Sequence, residues 1–303
     1  EKRYDLATTL GYKNWAAYVT EDKMTGSPQV AEDFLKEVEG AARNSAEVEY
    51  DRLLAKQQEI DPDATSVSDW SASYLSELIR QSDYNLDSQE VRKYFAFTDV
   101  RAGIFELVQD LFDVQIEPWE NAPVWADDVT AHEMYKDGKL VGRFFLDMHP
   151  RDGKFKHAAS FPIRFGPTSD GVPVAALLCN FPSGGHETGL MEHDQVETFL
   201  HEFGHLIHGM FSGQPDYAAL AMDNLEWDFI EAPSQMLENW VWDYDTLAKF
   251  AKDADGNTIP RDLVDRMVAA RDFGIGLGTL RQLLYANVSL DYYNRPPSDV
   301  DFD

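Results

Sequence analysis

The residues "VETFLHEFGHLIHG", 196–209, carry the most chemistry per position in this chain. His201 and His205 stand four apart. In a helix that spacing puts both imidazoles on one face, one turn from each other, where they can share one ion. Glu202 is rotated about 100° from His201 around the helix. It can flank that ion without ligating it, as a general base acting on a metal-held water must. This is the H-E-x-x-H arrangement of zinc hydrolases. Catalytic zinc takes three protein ligands and a water, so the motif predicts one zinc ion per chain and one further ligand. His208 lies on roughly the same face. The longer pattern that recruits a third histidine from the same helix needs it at 211, and position 211 is Phe211. His208 is therefore read as supporting the site rather than ligating.

The element that must hold these groups is a helix that Phe199, Leu200, Phe203, Leu206 and Ile207 can bury. Asp194 followed by Glu197 resembles a capping box at its start. Gly204 costs about 1 kcal/mol relative to Ala inside a helix, so another element is expected to approach the metal-bearing face closely there. The third ligand is sought in "DFIEAPSQMLENWVW", 228–242. Proline is tolerated only in a helix's first turn, so Pro233 predicts a helix beginning near Glu231. Glu231, Gln235 and Glu238 then share a face. Glu231, between Ile230 and Ala232, is the ligand candidate by its apolar setting, and Gln235 and Glu238 are candidates to orient the histidines.

Further from the motif, residues 1–112 read as helical, 113–182 as strand-rich and 183–303 as helical again. In the first stretch "SPQVAEDFLKEVEGAARNSAEVEYDRLLAKQQ" spaces Val30, Phe34, Leu35 and Val38 for a helix, with Pro28 suited to its first turn. "SDWSASYLSELIRQ" and "FTDVRAGIFELVQDLF" are amphipathic, each opening on a residue able to cap it. In the middle stretch, alternating runs on either side of Asp137-Gly138 signal a hairpin. "KHAASFPIRF" and "VPVAALLCNF" read as strands separated by "GPTSDGVP". The expected fold class is mainly α with a small β-sheet, α+β, as one catalytic-type unit.

Composition narrows the functions. The chain has 303 residues, 44% hydrophobic and 13% aromatic, enough to bury a core. Its 54 acidic and 26 basic residues give a net charge of −28, which repels phosphate and argues against nucleic acid as a partner. No apolar run is long enough to span a membrane. The opening "EKRYDLATTL" lacks the apolar core of a signal peptide and does not begin with Met. The single cysteine, Cys179, excludes a disulfide framework and lies in an apolar run, where a buried, inert thiol is expected.

"HEFGH" followed by "DFIEAPSQMLENW" resembles the thimet oligopeptidase family of zinc metallopeptidases, which includes neurolysin, oligopeptidase A and the bacterial peptidyl-dipeptidase. "GRFFLDMHPRDGKFKHAASF", "VAALLCNF", "HDQVETFLHEFGHLIH" and "LGYKNWAAYVTEDKM" also resemble segments of that family, in order, over nearly the whole chain. The resemblance implies a helical zinc-peptidase fold, His201, His205 and Glu231 as zinc ligands, Glu202 as general base, short peptides as substrates and a cytoplasmic location. It further implies that His157, Ala158 and Ala159 form an edge strand pairing with substrate backbone. Members of the family are longer and continue into a Gly-, His- and Tyr-rich segment that stabilises the oxyanion. This chain stops at "NRPPSDVDFD". The alternative expectation is therefore a catalytically incomplete fragment that binds zinc or peptide without turnover.

Overall fold

The computed structural model describes residues 1–166, 171–212 and 225–300. Its contacts divide the chain into two compact units, each assembled from separate stretches. The first comprises 1–85, 226–228 and 269–303, and the second 86–225 and 229–268.

The first unit is helical: α1 (Lys2–Thr9), α2 (Trp15–Thr20), α3 (Pro28–Ile60), α4 (Asp69–Tyr84) and the terminal helix, labelled α11 (Ile275–Tyr293). The Ser27 side chain caps α3 by accepting from the Val30 amide, and Pro28 occupies the first turn as expected. Ser68 makes no side-chain cap bond before α4. Leu53, Leu75, Ile79 and Phe273 form the core. Gly276 lets α11 touch the α3 backbone: a Cβ there would lie 2.6 Å from the Ala46 nitrogen. The buried Glu49 accepts from the Gly276 and Leu277 amides at 3.2 and 2.9 Å, satisfying the free donors of a helix start with a negative charge. Val30 and Phe34, spaced for a helix, are 52% and 59% exposed. The helical spacing is present, but the buried side of α3 is marked instead by Ala46, Glu49 and Leu53.

The second unit contains a short helix α5 (Ser88–Val91), then α6 (Phe97–Phe112), five strands, and helices α7 (His193–Ser212), α8 (Ala232–Glu238), α9 (Tyr244–Phe250) and α10 (Arg261–Ala270). The strands are β1 (Gln115–Pro118), β2 (Thr130–Lys136), β3 (Lys139–Asp147), β4 (Ala159–Arg164) and β5 (Val174–Leu178), in the order β1-β2-β3-β5-β4. Among the described residues only the β3–β5 pair is parallel. Asp137 and Gly138 turn β2 into β3 with both φ angles positive, 51° and 70°, as a two-residue hairpin requires. Part of the "GPTSDGVP" connection lies outside the described residues. No side-chain cap forms on α6, whose first flanking residue is Ala96 rather than a hydroxyl or acid.

One sheet face carries Phe145 and Ala176 against Val129, with Trp119 packed alongside. The other faces α7, where the rings of Phe144 and Phe203 meet edge-on at 5.7 Å. Gly142 opens β3 to the Met210 side chain, whose sulfur would lie 2.1 Å from any Cβ added there. Strand and helix packing thus fix α7 on its apolar side and leave the His201 side for α8.

The loop between β3 and β4 is held by a buried ion cluster. Asp147, 1% exposed, receives a bidentate pair of bonds from Arg151 at 2.6 and 2.7 Å and one from Trp125 Nε1 at 2.8 Å. Lys154 Nζ stands 2.8 Å from the same carboxylate and donates to the carbonyls of Asp147, His149 and Cys179. Burial works against the Asp147 charge, but the bonds from Arg151, Lys154 and Trp125 outweigh it and hold the carboxyl well below the usual range. Cys179 is buried, and desolvation raises its thiol pKa well above the ordinary value, in line with an inert thiol.

Candidate metal centre

Helix α7 begins differently from the expected capping box. Gln195, not Glu197, performs the return bond, its Oε1 accepting from the Glu192 amide at 3.0 Å. Asp194 falls inside the first turn, and Glu197 accepts from Trp242 Nε1 at 2.8 Å. That bond and a 2.8 Å contact of His193 Nε2 with the Val241 carbonyl tie the residues after α8 to the start of α7. Helix α8 therefore runs back along α7, bringing its own N-terminus to the histidines.

The close approach expected at Gly204 is made by α8. A Cβ on Gly204 would lie 2.7 Å from Ser234 Cα and 3.3 Å from the Pro233 carbonyl oxygen. Glu231 is the residue before the first turn of α8, with Pro233 inside that turn. Its side chain is 51% exposed, so the apolar setting read from Ile230 and Ala232 is not what selects it. Position does: the backbone contact at Gly204 delivers the carboxylate to the two imidazoles.

His201 Nε2 and His205 Nε2 are 3.2 Å apart. Glu231 Oε2 lies 3.2 Å from the first and 3.1 Å from the second. Ligands at the usual zinc distances of about 2.0–2.1 Å define a tetrahedron with edges of about 3.3–3.4 Å. The three atoms are close to one face of that tetrahedron. His201 Nδ1 donates to Glu238 Oε1 at 2.6 Å, which leaves Nε2 as the ring nitrogen facing His205 and Glu231. The spacing of the three donor atoms fits a divalent metal, and the carboxylate–histidine pair is the support such ligands commonly use.

Glu202 is 8% exposed. Burial and the nearby Glu231 raise its pKa above the ordinary carboxylate value, while His201 and the Ser160 amide oppose the shift. That is the direction a general base needs to work nearer neutrality. Burial lowers the pKa of His205, with Glu231 opposing it and His201 and His208 adding to it. His205 Nδ1 and His208 Nδ1 are buried without hydrogen-bond partners among the described residues. Burial also lowers the pKa of His208.

Of the groups expected to orient the histidines, Glu238 contacts one directly, whereas Gln235 is exposed and makes no side-chain bond to the site among the described residues. The sequence reading missed Ser234. It is fully buried, and its hydroxyl lies 2.9 Å from both the carbonyl oxygen and Oε2 of Glu231, holding the carboxylate in place. A hydroxyl three residues after the acid, on a helix's first turn, was the available signal. Strand β4 is an edge strand that begins at Ala159. His157 and Ala158 precede it, and the Phe155 and His157 carbonyls accept from Asn180 Nδ2.

The sequence profile of Peptidase family M3 matches residues 1–302. The chain belongs to this peptidase family. It is 34% identical to the thimet-like oligopeptidase of Dictyostelium discoideum over 94% of this chain and 45% of that protein. It is 33% identical to the chloroplastic and mitochondrial organellar oligopeptidase A of Arabidopsis thaliana, over 99% of this chain and 40% of that protein. Identity to oligopeptidase A of Escherichia coli K12 is 33%, over 93% of this chain and 42% of that protein. The chain thus spans less than half the length of these relatives.

Proposed function

We propose that this chain is the zinc-binding catalytic core of a metallo-oligopeptidase that hydrolyses peptide bonds in short peptides. The observation that carries the reading is the triangle of His201, His205 and Glu231 donor atoms with the buried Glu202 beside it. Zinc held there supplies Lewis acidity, polarising a carbonyl and lowering the pKa of water to about 7. Glu202 takes the proton of the attacking water and returns it to the leaving amine. Its raised proton affinity suits both transfers. Glu238 and Ser234 keep His201 and Glu231 in ligating geometry. The outer edge of β4, from Ala159, with His157 and Ala158 before it, pairs with substrate backbone.

Membership of a peptidase family and the names of the relatives support peptides as substrates, and the net charge of −28 favours no nucleic acid. Among the described residues no helix is long and apolar enough to cross a membrane. A cytoplasmic site of action rests on the family resemblance. One relative is named organellar, so fractionation of the source cells tests that assignment.

Replacing Glu202 by Gln tests the mechanism. The expected result is loss of peptide hydrolysis with zinc binding retained. Hydrolysis persisting in that variant assigns the base wrongly. A wild-type chain that binds zinc and peptide without turnover supports the second reading, a catalytically incomplete core.

A further inference from the structure

Within the first unit, a recess of about 200 Å³ opens where α1, the first residue of α2 and the end of α11 meet. An apolar cavity of about 150 Å³ accepts benzene, so this one has room for one six-membered ring and a short arm. Its walls are aromatic and cationic: Arg3, Tyr4, Trp15, Tyr292, Tyr293 and Arg295. None of them belongs to the metal centre.

These groups come from separate elements, and a buried polar residue brings two of the elements together. Asn14 is 1% exposed. Its side-chain oxygen caps α2 by accepting from the Ala17 amide at 2.8 Å, and Nδ2 donates to Asn294 Oδ1 at 3.1 Å. Those bonds fix Trp15, the next residue, beside the end of α11. The Tyr18 ring packs against Trp15 with centroids 5.3 Å apart.

Arg3 is the held charge. Its guanidinium carbon stands 5.5 Å from the centre of the Trp15 ring and 5.0 Å from that of Tyr293, and Nη1 donates to the Tyr293 hydroxyl. Rings at this range orient a guanidinium without neutralising it. Arg3 has no carboxylate partner among the described residues, whereas Arg295 is paired with Asp291. Arg3 therefore keeps donors for an incoming anion. Glu1 also lines the recess. Its side chain is exposed and has no partner among the described residues, so nothing pre-organises it for a cation.

We propose that this recess is a second binding site, for an aromatic ring that carries a carboxylate. The ring packs on Trp15 and the tyrosines, and the carboxylate pairs with Arg3. A free aromatic acid has this chemistry, and so does the last residue of a peptide ending in Phe or Tyr. The assignment does not rest on the peptidase reading.

The test uses the full chain carrying Glu202→Gln, with zinc supplied, so that no peptide is cut. Isothermal titration calorimetry with 3-phenylpropionate is expected to show one site with a dissociation constant below about 1 mM. Propionate, which lacks the ring, and 2-phenylethylamine, which reverses the charge, are expected to bind at least tenfold more weakly. Adding Arg3→Gln is expected to weaken 3-phenylpropionate at least tenfold. Tyr292→Ala, at a residue 44% exposed, is expected to weaken it at least threefold. A carboxylate bound at the metal centre would respond to neither substitution. Acetyl-Gly-Gly-Gly-Phe separates the two sources. Binding as tight as that of 3-phenylpropionate, and lost in the C-terminal amide, assigns the site to peptide ends; binding tenfold weaker assigns it to free acids. No saturable binding of 3-phenylpropionate, equal binding of 2-phenylethylamine or propionate, or an affinity that survives both substitutions overturns the site.

Discussion

Replacing Gly204 by Ala sets helix propensity against the approach of α8. In an open helix the change stabilises by about 1 kcal/mol. Here the new methyl would sit 2.7 Å from Ser234 Cα, where an ordinary contact needs about 3.4 Å. The obstacle is backbone, so α8 must withdraw by about 0.7 Å. Overpacking of this kind costs about 1–3 kcal/mol, leaving a net loss of roughly 0–2 kcal/mol. Ser234 and Glu231 share one helical turn and one hydrogen bond, so the displacement reaches Glu231 Oε2, the proposed ligand atom. Metal–ligand distances tolerate only about 0.2 Å. Zinc affinity is expected to fall by about 10–100-fold, the range seen when supports of ligands are disturbed. Competition with a chromophoric chelator measures the affinity, and thermal melting of the metal-free protein measures the packing cost. A variant that binds zinc within threefold of the parent and melts higher without metal would refute the argument that α8 is seated on Gly204.

Glu238→Leu removes the acceptor for His201 Nδ1 and is expected to weaken zinc binding about 10–100-fold; unchanged affinity in the same chelator competition would show that the 2.6 Å bond does not tune the ligand. Lys154→Met leaves Asp147 charged in a buried site and three carbonyls without their shared donor. It is expected to cost about 3 kcal/mol in chemical denaturation, and a loss below about 1 kcal/mol would contradict the structural role of the cluster. His132 has its pKa lowered from 6.5 to about 4 by burial and by Arg101. Its folded state therefore binds fewer protons than the unfolded chain between those values. The stability from neutral His132 is present above about pH 6.5 and is lost as pH falls toward 4, at most roughly 3 kcal/mol and less after its partial exposure is allowed for. Denaturation midpoints of the parent and of His132→Gln across that window should converge at low pH, and parallel curves would contradict the assignment.

Placements that depend on local spacing were legible in the sequence. His201, Glu202 and His205 follow from one helical turn, and Pro233 placed the start of α8 and so Glu231. Gly204 announced a close approach because its helix cost had to be offset. The Asp137-Gly138 turn was equally local. Features set by long-range packing were not legible. Which face of α3 is buried depends on where α11 lies, so the spacing of Val30 and Phe34 marks the helix but not its buried side. The start of α7 is shared with Trp242, 45 residues from Glu197, which no window around residue 194 contains. Nothing local marks Lys154 and Asp147 as a buried pair; the ends of β3 and β5 meet around them only in the fold. Gln235 shares the helical face of Glu238 without reaching a histidine, because face sharing fixes direction and not reach.

Hydrolysis of peptides through zinc by His201, His205, Glu231 and Glu202, as proposed, is tested most directly by cleavage of a quenched fluorescent peptide of about ten residues, with and without chelator, with zinc content measured on the same sample. The expected result is about one zinc per chain and cleavage abolished by chelator and restored by zinc. Cleavage that continues after the metal has been removed would contradict it.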